Sequence, residues 1–180
     1  MPDELNELQE HAEHAREHPS LVPVTVTMAM LAVGVAMVAL LGHRAHTEEI
    51  LAQAKATDQW AYYQAKNIRR HNYEMGVELL ELTEFKDQTR AEKVREKYHQ
   101  EAERYKKEQA EIEEQAKELE HESATGQRAA NRFDLGEVFL EVGLVITSLT
   151  LLTRNRLYWL IGVAAGGAGV AIAATGLLIH

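Results

Sequence analysis

The sequence predicts an all-α membrane protein, with three transmembrane helices and a long antiparallel coiled-coil hairpin between spans one and two. Three observations carry this expectation. Residues 21–42 hold no charge, and a second apolar block follows residue 135. The last of only three prolines is Pro23, so helices beyond it meet no proline break. In the charged stretch 44–133, six apolar pairs have residue numbers that sum to 173. They are Ala54 with Leu119, Ala61 with Ile112, Ile68 with Tyr105, Met75 with Tyr98, Leu79 with Val94, and Leu82 with Ala91. A constant sum marks two antiparallel helices folded about a turn near Lys86 and Asp87.

Residues 1–20 form an acidic tail, with Asp3, Glu4, Glu7, Glu10, Glu13 and Glu17 against Arg16 alone. His11, His14 and His18 stand three and four apart on one helix face, a spacing at which imidazoles can hold Zn, Ni or Cu. The competing reading is an acidic amphipathic tail with Leu5 and Leu8 on its apolar side. The first span is assigned to residues 21–43. Its 22 uncharged residues cover ~33 Å at 1.5 Å per residue, enough for a hydrocarbon core of about 30 Å. The acidic tail before it and the His43-Arg44-Ala45-His46 exit argue against a cleaved signal peptide.

Residues 44–133 carry 19 acids and 16 bases and are rich in strong helix formers. The turn is placed near residues 83–89. On the return arm Tyr98, Tyr105, Ile112 and Leu119 recur every seven residues, the coiled-coil period. Thr57 with Ala116, His71 with Ala102, and Gln64 with Gln109 extend the seam, and the two glutamines are expected to bond each other and help set register. The same phasing brings Arg69 and Arg70 near Glu101 and Glu103. Arms of about 40 residues reach ~60 Å, and a seam so rich in alanine predicts support from other copies or a partner. Trp60, Tyr62 and Tyr63 project sideways or outward in this register as a contact surface, unless they cap the seam and stack on Lys66 or Arg69.

The second span, residues 134–153, is impure. Asp134, Glu137, Glu141 and Ser148 share a helix face, and Glu141 lies about 10 Å along the axis from Asp134. A carboxylate at that depth is a functional-site candidate, whereas a span that starts later leaves both glutamates at the headgroups. The third span, residues 157–179, opens on Tyr158 and Trp159 at interfacial level. Gly162, Gly166 and Gly169 run along it, and small residues so spaced permit close helix packing in lipid. Arg154 and Arg156, in the short loop, favour a cytoplasmic position for that loop and an extracytoplasmic hairpin. Arg44, Lys55, Arg128 and Arg132 favour the reverse, but they stand in a loop longer than about 60 residues, where charges count for less.

The motif Asp58-Gln-Trp-Ala-Tyr-Tyr-Gln-Ala-Lys66 on a helix leaving the first span, the acidic His-bearing tail, and the Thr153-Arg154-x-Arg156-x-x-Trp159 turn resemble the bacterial membrane-protein family catalogued as domain of unknown function 4337. Lys106-Lys107-Glu108-Gln109 is a weaker match. The resemblance covers nearly the whole chain and implies a bacterial three-span membrane protein, with no established activity or catalytic residues to carry over.

A net charge of −9 without a basic face argues against nucleic-acid binding. No cysteine is present, and no phosphate-cradling loop, HExxH run or nucleophile elbow occurs. The expectation is a non-enzymatic integral protein of the bacterial inner membrane, needing no cofactor. It forms a homo-oligomer in the lipid bilayer whose hairpins act as a stalk or docking surface for a protein partner. The alternative is an oligomeric cation or proton pathway lined by Glu141 and Glu137.

Overall fold

The computed structural model describes residues 21–179, so the histidines of the acidic tail, His11, His14 and His18, lie outside the described residues. Among the described residues there are three helices: α1 (Val22–Glu81), α2 (Gln88–Thr153) and α3 (Arg156–Gly176). Each contains a stretch long and apolar enough to cross a membrane.

Local chemistry accounts for the helix ends. Pro23 stands in the first turn of α1, where a missing N–H leaves no helix bond unmade. At the far end the Thr83 hydroxyl donates to the Leu79 carbonyl at 2.8 Å. Asp87 caps α2, its Oδ1 accepting from the Arg90 N–H at 3.0 Å, the usual N-cap geometry. The turn therefore occupies residues 82–87, close to its expected place. Between α2 and α3 the chain reverses at Arg154, whose φ is 52°. Asn155 then caps α3 by accepting from the Leu157 N–H at 3.0 Å.

The helices pack as two compact units, one from the described residues up to Glu48 together with those from Thr125 onward, the other Glu49–Ala124. The first has a core of Val38, Ala45, Ala130, Phe133, Leu140 and Ala173, with Leu31 and Val35 against it. Here the glycines of α3 are spent inside the chain. A methyl placed on Gly162 would lie 2.7 Å from the Gly143 carbonyl oxygen, and one on Gly169 would lie 2.7 Å from that of Gly136. Gly166 receives the Leu31 side chain of α1. The α2 glycines Gly136 and Gly143, which the sequence reading passed over, supply the other half of this contact.

In the second unit the return arm buries the expected face: Ala102, Tyr105, Gln109, Ile112 and Ala116 are buried, with Tyr98 and Leu119 half-buried beside them. The first arm corrects the expectation. Its inward positions are Ala52 and Ala56, then Tyr63, Lys66, Arg70, Tyr73, Val77 and Leu80. Ala54, Ala61, Ile68, Met75, Leu79 and Leu82 are exposed, as are Thr57, Gln64 and His71. The two sets differ by about two residues, which is roughly 200° around a helix, so the apolar stripe faces away from α2. The packing partners give the reason. Tyr98 needs the space at Gly76, where a methyl would sit 2.7 Å from its ring. Tyr73 stacks on Tyr105 at 5.8 Å and meets Tyr98 edge-on at 5.3 Å. Tyrosine rings and the aliphatic stems of Lys66 and Arg70 supply the apolar cover on this face.

Candidate functional site

Two surfaces and one polar layer carry the chemistry of this chain. The layer lies in the Glu49–Ala124 unit. Lys66 Nζ donates to Glu108 Oε2 at 2.5 Å and stands 5.0 Å from the Tyr62 ring centre and 5.2 Å from that of Tyr105. The hydrogen bond to Glu108 is the main cause that raises the Lys66 pKa, and the same bond holds the Glu108 carboxyl below its usual range. Of the expected cross-arm group of Arg69 and Arg70 with Glu101 and Glu103, Arg70 pairs instead along its own helix with Glu74 at 3.2 Å, Glu101 with Arg104 at 2.7 Å and Glu103 with Lys106 at 3.9 Å.

The Lys66–Glu108 pair gives the unit a defined pH response. Glu108 titrates below its ordinary 4.5 in the folded chain, so its contribution is complete above that value and lost as pH falls through the folded pKa. Lys66 titrates above its ordinary 10.5, so its contribution is complete below that value and lost as pH rises through the folded pKa. The pair is partly solvated, with side-chain exposures of 14% and 34%, which limits its worth to roughly 1 kcal/mol or less. Thermal melts of the full chain in detergent should show Glu108→Gln less stable than the parent at pH 7, with the gap closing as pH falls through the folded pKa of Glu108. A gap that persists at low pH would remove the ion pair as the cause.

The first surface is the outward stripe of α1, with Ile68, Met75 and Leu79 at 60%, 53% and 59% exposure, continued into the turn by Leu82 at 85%. The second is the outer side of α2 in the other unit. Its inward side is Gly136, Leu140, Gly143, Thr147 and Thr150, while Glu141 is exposed and Glu137 half-buried. Glu141 therefore stands on the outside of this unit among Val138, Val142 and Val145, which are also exposed. Above it His46 Nε2 pairs with Asp134 Oδ2 at 3.0 Å.

The family model for a domain of unknown function, DUF4337, matches residues 20–179. The chain belongs to the DUF4337 family. Comparison with curated proteins and with solved structures returned no match, so no activity is carried to this DUF4337 chain by likeness.

The residues singled out in the sequence are distributed as follows in this DUF4337 member. Trp60 Nε1 donates to Glu120 Oε1 at 2.8 Å, and Tyr63 packs edge-on against Trp60 at 5.5 Å. Both are half-buried, which leaves Tyr62 the most exposed of the three. Gln109 is buried and its Nε2 has no hydrogen-bond partner, while Gln64 is exposed, so the expected glutamine pair does not form within the chain. Instead Gln59 Nε2 donates to Gln115 Oε1 at 3.4 Å. Among the described residues no group of three or more His, Asp or Glu is placed to hold a metal ion. The Lys66–Tyr105–Glu108 layer was missed because a lysine at a helix interface reads as surface. The signal that could have found it is the opposite charge of Lys66 and Glu108 at matching distances from the turn.

Proposed function

We propose that this chain is a non-enzymatic, multi-pass protein of a bacterial inner membrane that self-associates. Its Glu49–Ala124 region forms a coiled-coil hairpin on the extracytoplasmic side, serving as a stalk or docking surface for a protein partner. The observation that carries the reading is the exposed stripe of Ala54, Ala61, Ile68, Met75 and Leu82, strictly seven apart, with Leu79 between the last two.

A second copy is the occupant that suits this stripe. Copies inserted in one bilayer share an orientation, and a seven-residue stripe meets itself in register when two parallel helices lie side by side. Gln64 lies on the stripe and would face its counterpart in the second copy, a polar pair that sets register. An aliphatic row left in water is otherwise unfavourable by about 25 cal/mol per Å².

The test is the mass of the full chain in detergent by native mass spectrometry. The parent should be oligomeric, and Ile68→Lys with Met75→Lys should shift it to monomer with helical content retained. A monomeric parent, or a double variant that stays oligomeric, overturns the reading.

The position of Glu141 supports a second reading. A carboxylate on the outer face of an apolar span is costly against lipid, and self-association would gather one from each copy into a cation or proton pathway. Glu141→Gln separates the two: a conduit loses ion flux in reconstituted liposomes while the oligomer persists, and a scaffold has no flux to lose.

A further inference from the structure

Around the turn of the Glu49–Ala124 unit the charges are unevenly satisfied. Lys86 stands in the turn, and Arg90, Lys93 and Lys97 follow on α2 at spacings of four, three and four, which keeps them on one side of the helix. All four are exposed, and among the described residues none of them pairs with a carboxylate. The acids of the same stretch are engaged. Asp87 accepts the Arg90 N–H as the α2 cap, Glu92 pairs with Arg95, and Glu96 accepts from Gln100 Nε2 at 2.8 Å. Glu81 of α1 lies 4.0 Å from Arg95, which stands about 200° around α2 from Lys93, so Glu81 serves the other flank. The net charge of −9 for the whole chain hides this basic row.

A cavity of about 220 Å³ opens beside the row. Leu80, Phe85, Ala91 and Val94 give it an apolar lining, and Lys86, Asp87 and Arg90 complete it. Two of the unpaired cations therefore share a cavity with apolar side chains, and the acid among them is spent on the helix cap. The turn that shapes the cavity is pinned at both ends. Gln88 Nε2 donates to the Phe85 carbonyl at 3.2 Å, and the Leu82 N–H donates to the Glu78 carbonyl at 3.1 Å.

We propose that the tip of the hairpin docks an acidic amphipathic helix of a partner protein. One apolar side chain of that helix enters the cavity, and carboxylates to either side of it meet Arg90, Lys93 and Lys97. Arg90 and Lys97 are one heptad apart, ~10 Å along α2, so carboxylates spaced by a heptad on a second helix fall opposite them, as flanking charges do in paired helices. The cavity supplies the apolar anchor, and the row supplies orientation and a faster encounter. A flat anionic bilayer suits the tip less well, because it would meet the cations without filling the cavity.

The proposal rests on the hairpin being a docking surface for a protein, as read above, and not on self-association. The experiment uses the full chain in phosphatidylcholine nanodiscs. The probe is a fluorescent helical peptide of about five turns, with a central leucine and glutamates three, four and seven residues to either side of it. Anisotropy should report saturable binding by the parent. Arg90→Glu with Lys97→Glu should weaken it about tenfold or more with helical content unchanged, since both side chains are exposed. Replacing the leucine of the peptide by serine should cost about as much, and raising the salt from about 0.05 M to about 0.5 M should also weaken binding. Phosphatidylglycerol vesicles are offered in a parallel arm, and native mass spectrometry of the released protein reads its oligomeric state.

A parent that binds neither peptide nor vesicles overturns this proposal alone. Equal binding by the double variant, or equal binding of the serine peptide, does the same. Recruitment of the vesicles without binding of the peptide would make the tip a contact for an anionic membrane, and would overturn the protein-docking reading together with this proposal. A monomeric parent that binds the peptide overturns self-association and supports the docking site.

Discussion

Gly162→Ala is expected to destabilise the packing of α2 against α3 by roughly 3 kcal/mol or more, at the upper end for overpacking. The added methyl would meet the Gly143 carbonyl oxygen at 2.7 Å and the Thr147 backbone nitrogen at 2.9 Å, and would clash with the Thr147 hydroxyl. Two of these three neighbours are backbone, so no rotamer change relieves them. Gly143→Ala should behave alike, its methyl lying 2.8 Å from the Gly162 carbonyl oxygen and 2.9 Å from the Gly166 nitrogen. The control is one helical step away from this face: a methyl on Gly167 meets nothing within 4 Å. Gly167→Ala should therefore be neutral or stabilising by about 0.5–1 kcal/mol through helix propensity. Thermal unfolding in detergent checks the contrast, and equal melting of Gly162→Ala and Gly167→Ala would show that the close approach is not what holds these helices.

In the other unit the largest single effect should come from Tyr105→Ala, at roughly 3–5 kcal/mol by analogy with other buried aromatic truncations. Tyr105 is buried, stacks on Tyr73, and has Lys66 Nζ and the Arg104 guanidinium within 5.2 Å and 4.8 Å of its ring centre. Its removal leaves a cavity and strips Lys66 of one of its two rings. Hydrogen exchange over residues 98–112 should quicken sharply in Tyr105→Ala and much less in Tyr105→Phe, which keeps the ring. Unchanged protection in the alanine variant would mean that the unit is held by its alanine rows alone.

The helices, the position of the turn and the inward face of the return arm were all legible in the sequence. Their causes are local or strictly periodic: an uncharged run, an N-capping aspartate, and apolar residues seven apart. The inward face of α1 was not legible, because hydrophobicity ranks Ile68, Met75 and Leu79 above Tyr63, Lys66, Arg70 and Tyr73. Which row is buried depends on fit to the opposite helix, above all on Gly76 making room for Tyr98. The close contact of α2 with α3 was half legible. Gly162, Gly166 and Gly169 announced a close approach, but a row of small residues does not name its partner, and Gly136 and Gly143 are separated by enough larger residues to escape notice.

Only Arg154 and Asn155 separate α2 from α3, and this brevity governs the order in which the chain can be built. While α2 leaves the ribosome alone, the backbone faces at Gly136 and Gly143 have nothing to rest on. The next residues synthesised supply the matching row, Gly162, Gly166 and Gly169. The two helices are thus suited to fold as one pair, with α3 acting as the chaperone of the helix before it.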